Sequence, residues 1–332
     1  MDDKVDFLIL WVDGNDPKWQ EDRNKYQCDL QSDGRIQRYR DWENLKYWFR
    51  GVEKYAPWVN KIYFVTWGHI PKWLNICHEK IVIVKHDEFM PKEYLPTFNC
   101  NPIELNIHRI KELSEKFVYF NDDMFIIDEM EKEDFFKNGL PCDTAALNIH
   151  CIDPSINHYA PFQAIGIINK YFNLHHVIKK NWKKWLSLRN GIKLLRTLYL
   201  LPSPRFPGMY QTHLPSSFLK STYEEVWRLE GAVLDETSRN KFRGKLDYTQ
   251  YVFKEWQLAK GEFYPRTAGI GKNFILDHEK DEKRILEYIK KQKGKMVCVN
   301  DGELTVEEFE KYKMDLIEAF EDILPQKSSF EV

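Results

Sequence analysis

Residues 116–125 read "KFVYFNDDMF". The apolar and aromatic run that ends at Phe120 has the character of a buried strand, and it breaks at once into an amide and two adjacent carboxylates. Four more runs in the first half share that character: "VDFLILWV" (5–12), "KIYFVTW" (61–67), "KIVIVKH" (80–86) and "TAALNIH" (144–150). Between them, "DWENLKYWFRGVEKYAP" (41–57) and "PIELNIHRIKELSE" (102–115) repeat apolar residues at three and four, the spacing of amphipathic helices packed on a sheet. The alternation predicts an α/β fold with a mostly parallel sheet, in which ligands lie beyond the carboxyl ends of the strands. Two loops fall there. "WVDGNDP" (11–17) leaves Asp13, Gly14 and Asp16 near the end of the first strand, and "FNDDM" does the same for Asp122 and Asp123.

Composition fits a soluble globular enzyme or binding protein. The 332 residues carry 49 basic and 51 acidic side chains, 43% hydrophobic and 30% charged residues, which excludes disordered and collagen-like classes. A net charge of −2 gives no reason to expect a nucleic acid as partner. There is no run long and apolar enough for a membrane span, and the N-terminus opens with acids, so a cytoplasmic location is expected, with peripheral contact at the inner face of the membrane. Six cysteines without C-x-x-C spacing (Cys28, Cys77, Cys100, Cys142, Cys151 and Cys298) read as reduced thiols. The aromatic share of 15% is mostly core, with some rings suited to the C–H face of a pyranose.

From Pro154 to Tyr223 the chain has no Asp or Glu but ten Lys and Arg, leaving about −12 for the remainder. Within it, Lys179, Lys180, Lys183 and Lys184 flank Trp182 and Trp185, a combination suited to an anionic membrane or an anionic polymer as well as to a solvated basic face. The last third looks helical over 216–244 and 247–263, strand-like at "KMVCVND" (295–301) and helical again at 305–325, where Thr305 and Glu308 have the form of a capping box. One composite catalytic domain is expected: an α/β nucleotide-sugar half over 1–153, a basic helical insertion over 154–211, and a final part over 212–332.

The carboxylates of Asp122 and Asp123 are hard ligands suited to Mg²⁺ or Mn²⁺, although Asn-Asp-Asp also makes turns and caps. His213 in "THLPSS" is expected just before a helix, and is able to accept a proton near neutrality. Arg239 and Arg243 in "SRNKFRG" are spaced to share a helix face and to bind phosphate.

"DFLILWVDGNDP" (6–17), the stretches 40–75 and 86–125, "THLPSSF…SRNKFRG…DYTQY" (212–251) and "VCVND…FEDILPQKSSFE" (297–331) resemble, in order, the four conserved regions of the Stealth family. That resemblance implies a Rossmann-like core akin to the GT-A nucleotide-sugar glycosyltransferases. It also implies a divalent metal, a nucleotide-sugar donor such as a UDP-N-acetylhexosamine, and transfer of a sugar-1-phosphate to a glycan or growing polysaccharide. By the same resemblance His213, Asp123 and Arg243 are expected to be catalytic, and Asp122, Asp123 and Asp301 to hold the metal. Asp13, Gly14, Arg109, Arg239 and Asn300 are then expected to bind substrate. Trp67-Gly68-His69 departs from the family pattern at the wall that would meet the base. Two other readings stand beside it: a metal-dependent glycosyltransferase that attacks the anomeric carbon and releases a nucleoside diphosphate, and a non-catalytic sugar-binding protein.

Overall fold

The computed structural model describes residues 3–26, 40–151 and 159–332; Cys28 and the first residues of the acid-free stretch, 154–158, lie outside them. A five-stranded sheet of order β3-β2-β1-β4-β8 forms the centre. It is built from β1 (Asp6–Trp11), β2 (Ile62–Thr66), β3 (Ile81–Lys85), β4 (Lys116–Phe120) and β8 (Ser216–Leu219). The first four run parallel and β8 runs antiparallel to β4.

The strands are apolar along their length because both faces of the sheet are covered. Phe7, Ile9, Phe64, Val118 and Phe120 pack with the helix Leu45–Tyr55 and the helix Val306–Ile323 on one face. Leu8, Leu10, Tyr63, Val65, Phe117 and Tyr119 meet the helices Ala160–Tyr171, Lys220–Ser238 and Tyr251–Lys260 on the other. Since β2 and β3 lie to one side of β1 and β4 to the other, the order reverses between β1 and β4, and such a reversal opens a crevice at the carboxyl ends.

A second sheet joins there, with order β10-β11-β5, from β5 (Met124–Ile126), β10 (Gly271–Leu276) and β11 (Met296–Asp301). β11 is parallel to β10 and antiparallel to β5. A third, small sheet contains β6 (Phe136–Lys137), β7 (Leu140–Asp143) and β9 (Tyr264–Pro265). The capping box at Thr305 and Glu308 is present and starts the long C-terminal helix.

Four local expectations are corrected. Residues 144–150 form no strand beyond a bridge from Leu147 to Met209, because Thr144 Oγ1 donates to the Arg266 carbonyl (2.8 Å) and Leu147 N–H to Thr197 Oγ1 (3.0 Å) in place of a ladder. Residues 216–219, expected as helix, are β8, so His213 precedes a strand. The following helix stops at Ser238, which removes the shared helix face expected of Arg239 and Arg243. In the basic stretch, Trp185 is fully buried against Phe206 and Phe263, and Lys184 Nζ donates to the Gly261 carbonyl (2.6 Å); only Trp182, Lys179, Lys180 and Lys183 of that cluster face solvent. The five described cysteines are free thiols.

The C-terminus is locked to the core through one buried cation. Arg50 Nε and Nη2 donate to the two carboxylate oxygens of Glu331 (2.8 and 3.0 Å), while Nη1 donates to Glu321 (3.0 Å) and to the Leu324 carbonyl (2.9 Å). Burial alone would raise the Glu331 carboxyl, but Arg50 and the Ser328 N–H outweigh it and hold the group below its usual range. The folded value is the depressed one, so this stabilisation is complete above the unfolded value of about 4.3 and is lost as pH falls through the folded value. Glu331→Ala should therefore cost roughly 3 kcal/mol in urea denaturation at neutral pH, by stranding a buried charge. Its penalty should shrink in acid, where the wild-type protein also loses the interaction.

Candidate active site

A cleft of about 540 Å³ opens at the carboxyl ends of β1 and β4. Strand direction fills it. β4 stops at Phe120 and β5 starts at Met124, so Asn121, Asp122 and Asp123 bridge the two sheets, pinned by the Val299 N–H donating to the Asp123 carbonyl (3.0 Å). β8 pairs Ser216 with Tyr119 in antiparallel register, which puts its first residue, and His213 three residues earlier, at the same end. β11 pairs Cys298 with Met124, so its last residues, Asn300 and Asp301, also reach the cleft.

His213 Nε2 lies 3.4 Å from Asp123 Oδ2 and 3.5 Å from Asn121 Nδ2. Burial lowers the imidazole pKa, but the Asp123 carboxylate, by charge and hydrogen bond, and the charge of Glu104 leave it raised. The Cys298 thiol donates to Asp123 Oδ2 (3.3 Å), and burial beside that carboxylate keeps it protonated. Asp123, His213 and Cys298 thus form the tightest group of candidate metal ligands among the described residues, yet a neutral thiol contributes little to a hard cation.

The acids offer better ligands. Asp123 Oδ1 and both oxygens of Asp301 are buried with no hydrogen-bond donor among the described residues. Asp122 meets the water of the cleft while surrounded by protein mass; desolvation and then the charge of Asp123 push its carboxyl up to about 7. Asp301 is raised to about 6 by burial, with Arg40 Nη1 3.7 Å away offsetting part of that rise. Oxygen donors without partners and carboxylates held above their usual pKa fit a hard divalent cation.

Arg243 also lines the cleft, its Nη2 2.9 Å from Cys100 Sγ. Asp247 organises its loop: buried, it accepts from Asn99 Nδ2 (2.8 Å), Asn101 Nδ2 (3.0 Å), Asn240 Nδ2 (2.7 Å) and the Gly244 N–H (2.9 Å). A Cβ on Gly244 would come within 2.8 Å of Asp247 Oδ1, so glycine permits the approach.

A buried acid stands behind the histidine. Tyr119 Oη donates to Glu104 Oε1 (2.8 Å) and also contacts Asn121 Oδ1, while the Gln250 N–H donates to Glu104 Oε2 (3.2 Å); Asn121 carries the chain on to His213. Desolvation raises the Glu104 carboxyl in spite of these bonds. The sequence reading did not single out Glu104, Tyr119 or Asp247. The available signal was polar groups set in segments whose neighbours are apolar or turn-forming: an acid within "CNPIELN", a tyrosine within β4 and the Asp of "DYTQY".

Of the other expected residues, only Asn300 lines the cleft. Asp13 and Gly14 follow Val12, a cleft residue, but the Asp13 carboxylate accepts the Asn15 N–H (2.9 Å) and its own N–H donates to His69 Nε2 (2.7 Å). His69 of the divergent Trp67-Gly68-His69 segment thus supports the β1 turn. Arg109 donates to Asn106 Oδ1 (2.7 Å) and stacks on Trp227, and Arg239 pairs with Asp235 (2.8 Å) in solvent; neither lines the cleft. Asn300 does, with its amide 3.4 Å from the Phe274 carbonyl. If the Asp247 clamp sets Arg243, Asp247→Ala should reduce turnover at least tenfold while circular dichroism stays native, and an unchanged rate would remove Asp247 from this role.

Comparison with known sequences gives the family. Models of Stealth protein conserved regions 1 and 2 match residues 3–31 and 38–143. The chain is 41% identical to the capsular polysaccharide phosphotransferase WcwK of Streptococcus pneumoniae, over 99% of this chain and 98% of the relative. It is 40% identical to the exopolysaccharide phosphotransferase cps2G of Lactiplantibacillus plantarum, over 98% and 96%. Identity is also 40% to the receptor polysaccharide phosphotransferase WefC of Streptococcus oralis, over 99% of both. Among solved structures, the galactosyltransferase LgtC in complex with donor and acceptor sugar analogs shares 9% identity and a TM-score of 0.40, over 93% of this chain and 94% of its own, a likeness too distant to carry an argument. Identity near two fifths over nearly full length, with region matches that cover the ends of β1 and β4, makes the chain a member of the Stealth family of phosphotransferases.

Proposed function

We propose that the protein transfers a sugar-1-phosphate from a nucleotide-sugar, a UDP-N-acetylhexosamine, to a hydroxyl of a growing capsular or exopolysaccharide. The supporting observation is the convergence on one cleft of paired carboxylates, a histidine held on one of them, and an arginine fixed by a buried clamp. The acceptor hydroxyl loses its proton to His213, and Asp123 stabilises the imidazolium that forms. The acceptor oxygen attacks the sugar-proximal phosphorus. The bond from that phosphorus to the bridging oxygen breaks, and a nucleoside monophosphate leaves while the sugar stays on a new phosphodiester. Arg243 offsets the charge that spreads over the transferred phosphoryl oxygens.

Asp122, Asp123 and Asp301 would hold the Mg²⁺ or Mn²⁺ ion. Such an ion, when bound, neutralises diphosphate charge. No described helix is long and apolar enough to cross a membrane; action in the cytoplasm, at the inner face of the membrane, is part of the same proposal.

Nucleotide products test the bond that breaks. Monophosphate should accumulate in step with transferred sugar; nucleoside diphosphate in its place would mean attack at the anomeric carbon. Excess EDTA should abolish turnover and added Mg²⁺ or Mn²⁺ restore it, whereas full activity in EDTA removes the metal from the proposal. Asp122→Asn, Asp123→Asn, His213→Ala and Arg243→Ala should each lower kcat about 10²- to 10³-fold, the scale of losing one electrostatic contact to a transition state. Arg239→Ala removes only a solvated ion pair and should leave the rate within about twofold.

A further inference from the structure

The basic insertion presents an apolar face that the described residues leave uncovered. Over Lys193–Leu200 the helix buries Thr197 and Leu200, and it is tied down where Lys193 Nζ lies 3.9 Å above the Tyr210 ring. A surface helix ordinarily turns polar groups outward opposite such a seam. Here Ile192, Leu195 and Tyr199, spaced three and four apart on the opposite side, are 82%, 66% and 82% exposed. Leu188 and Trp182, just upstream, are 87% and 55% exposed. The same insertion carries the exposed cations Lys179, Lys180, Lys183, Arg189 and Arg196, and the sequence from 154 to 223 supplies no carboxylate.

We propose that this face docks on a bilayer bearing anionic lipid headgroups. Contiguous exposed aliphatic side chains mark an interaction surface, and a hydrated polysaccharide would gain little from covering them. Leucine, isoleucine and tyrosine exposed in a segment whose charges are all lysine and arginine suit the boundary between headgroups and acyl chains, where each basic residue adds its attraction to an anionic surface. A second copy of the chain would bring two cationic segments together and is disfavoured by like charge.

The helix that carries this face is hydrogen-bonded to a segment that leads towards His213. The inner side of that helix holds Leu147 through Thr197 Oγ1 (3.0 Å), and Leu147 bridges to Met209, four residues before His213. An enzyme seated this way would meet an acceptor glycan carried on a membrane lipid, a consequence that rests on the phosphotransferase reading; docking itself does not.

Sedimentation with vesicles, in the absence of any substrate, is the test. The full-length protein should co-sediment with phosphatidylcholine vesicles containing phosphatidylglycerol, more weakly at high salt and more weakly still with phosphatidylcholine alone. Combined Ile192→Asp, Leu195→Asp and Tyr199→Asp should weaken binding at least tenfold yet keep turnover on a soluble acceptor, which shows that the variant is folded. Combined Lys179→Glu, Lys180→Glu and Lys183→Glu should remove the preference for phosphatidylglycerol. Wild-type sedimentation by the aspartate variant would overturn the proposal. So would a wild-type dimer in light scattering that binds no vesicle and is broken by the same variant. Failure of the enzyme to release nucleotide would sink the functional reading and leave the vesicle result standing.

Discussion

The site depends on a three-residue passage between two sheets. β4 must end where β5 begins, and Asn121 to Asp123 make the crossing with the Asp123 carbonyl held by the Val299 N–H at 3.0 Å. Fixing those residues fixes everything that faces them. β8 lies antiparallel to β4, so the chain enters that strand beside the crossing and delivers His213 there. β11 lies antiparallel to β5, so it leaves beside the crossing and delivers Asn300 and Asp301. Backbone pairing, which carries no chemistry itself, is what brings residues from three distant parts of the chain into one cleft.

Electrostatics give the assembled cleft its character. Asp122 and Asp301 are held above the usual carboxylate range, mainly by desolvation, and Asp123 Oδ1 and both oxygens of Asp301 have no hydrogen-bond donor among the described residues. Concentrating anions in this way costs stability, a cost that a bound cation would offset. The cationic side is built differently: Arg243 comes from a loop with no regular structure, made rigid by the four hydrogen bonds of Asp247. A planar guanidinium aimed at phosphate needs that rigidity, because a loop free to move would spend binding energy on its own ordering.

Much of this was legible in the sequence. Strands β1 to β4 announce themselves as apolar runs because both faces of their sheet are packed, β11 because its first four residues are buried, and the amphipathic helices on the central sheet show their spacing for the same reason. The Thr305 capping box is visible because it is local. The acids at 122 and 123 stood out where a buried run breaks, and motif resemblance named His213, Arg243 and Asp301. What the sequence alone determined, then, was the parallel α/β core, the place of the paired acids at a strand end, and the family.

Tertiary structure decided the rest. β8 spans four residues and reads equally as the first turn of the helix behind it, so only pairing with β4 makes it a strand. The shared face expected of Arg239 and Arg243 vanished because the helix stops at Ser238, and the pair split between solvent and cleft. Glu104, Tyr119 and Asp247 become functional candidates through partners up to 148 residues away, which no local pattern encodes. Likewise Trp185 and Ile192 look alike as apolar residues in a basic stretch, and it is packing that buries the first and leaves the second in water. Apolar periodicity reports which residues seek cover; whether cover exists is set by what the chain places opposite them.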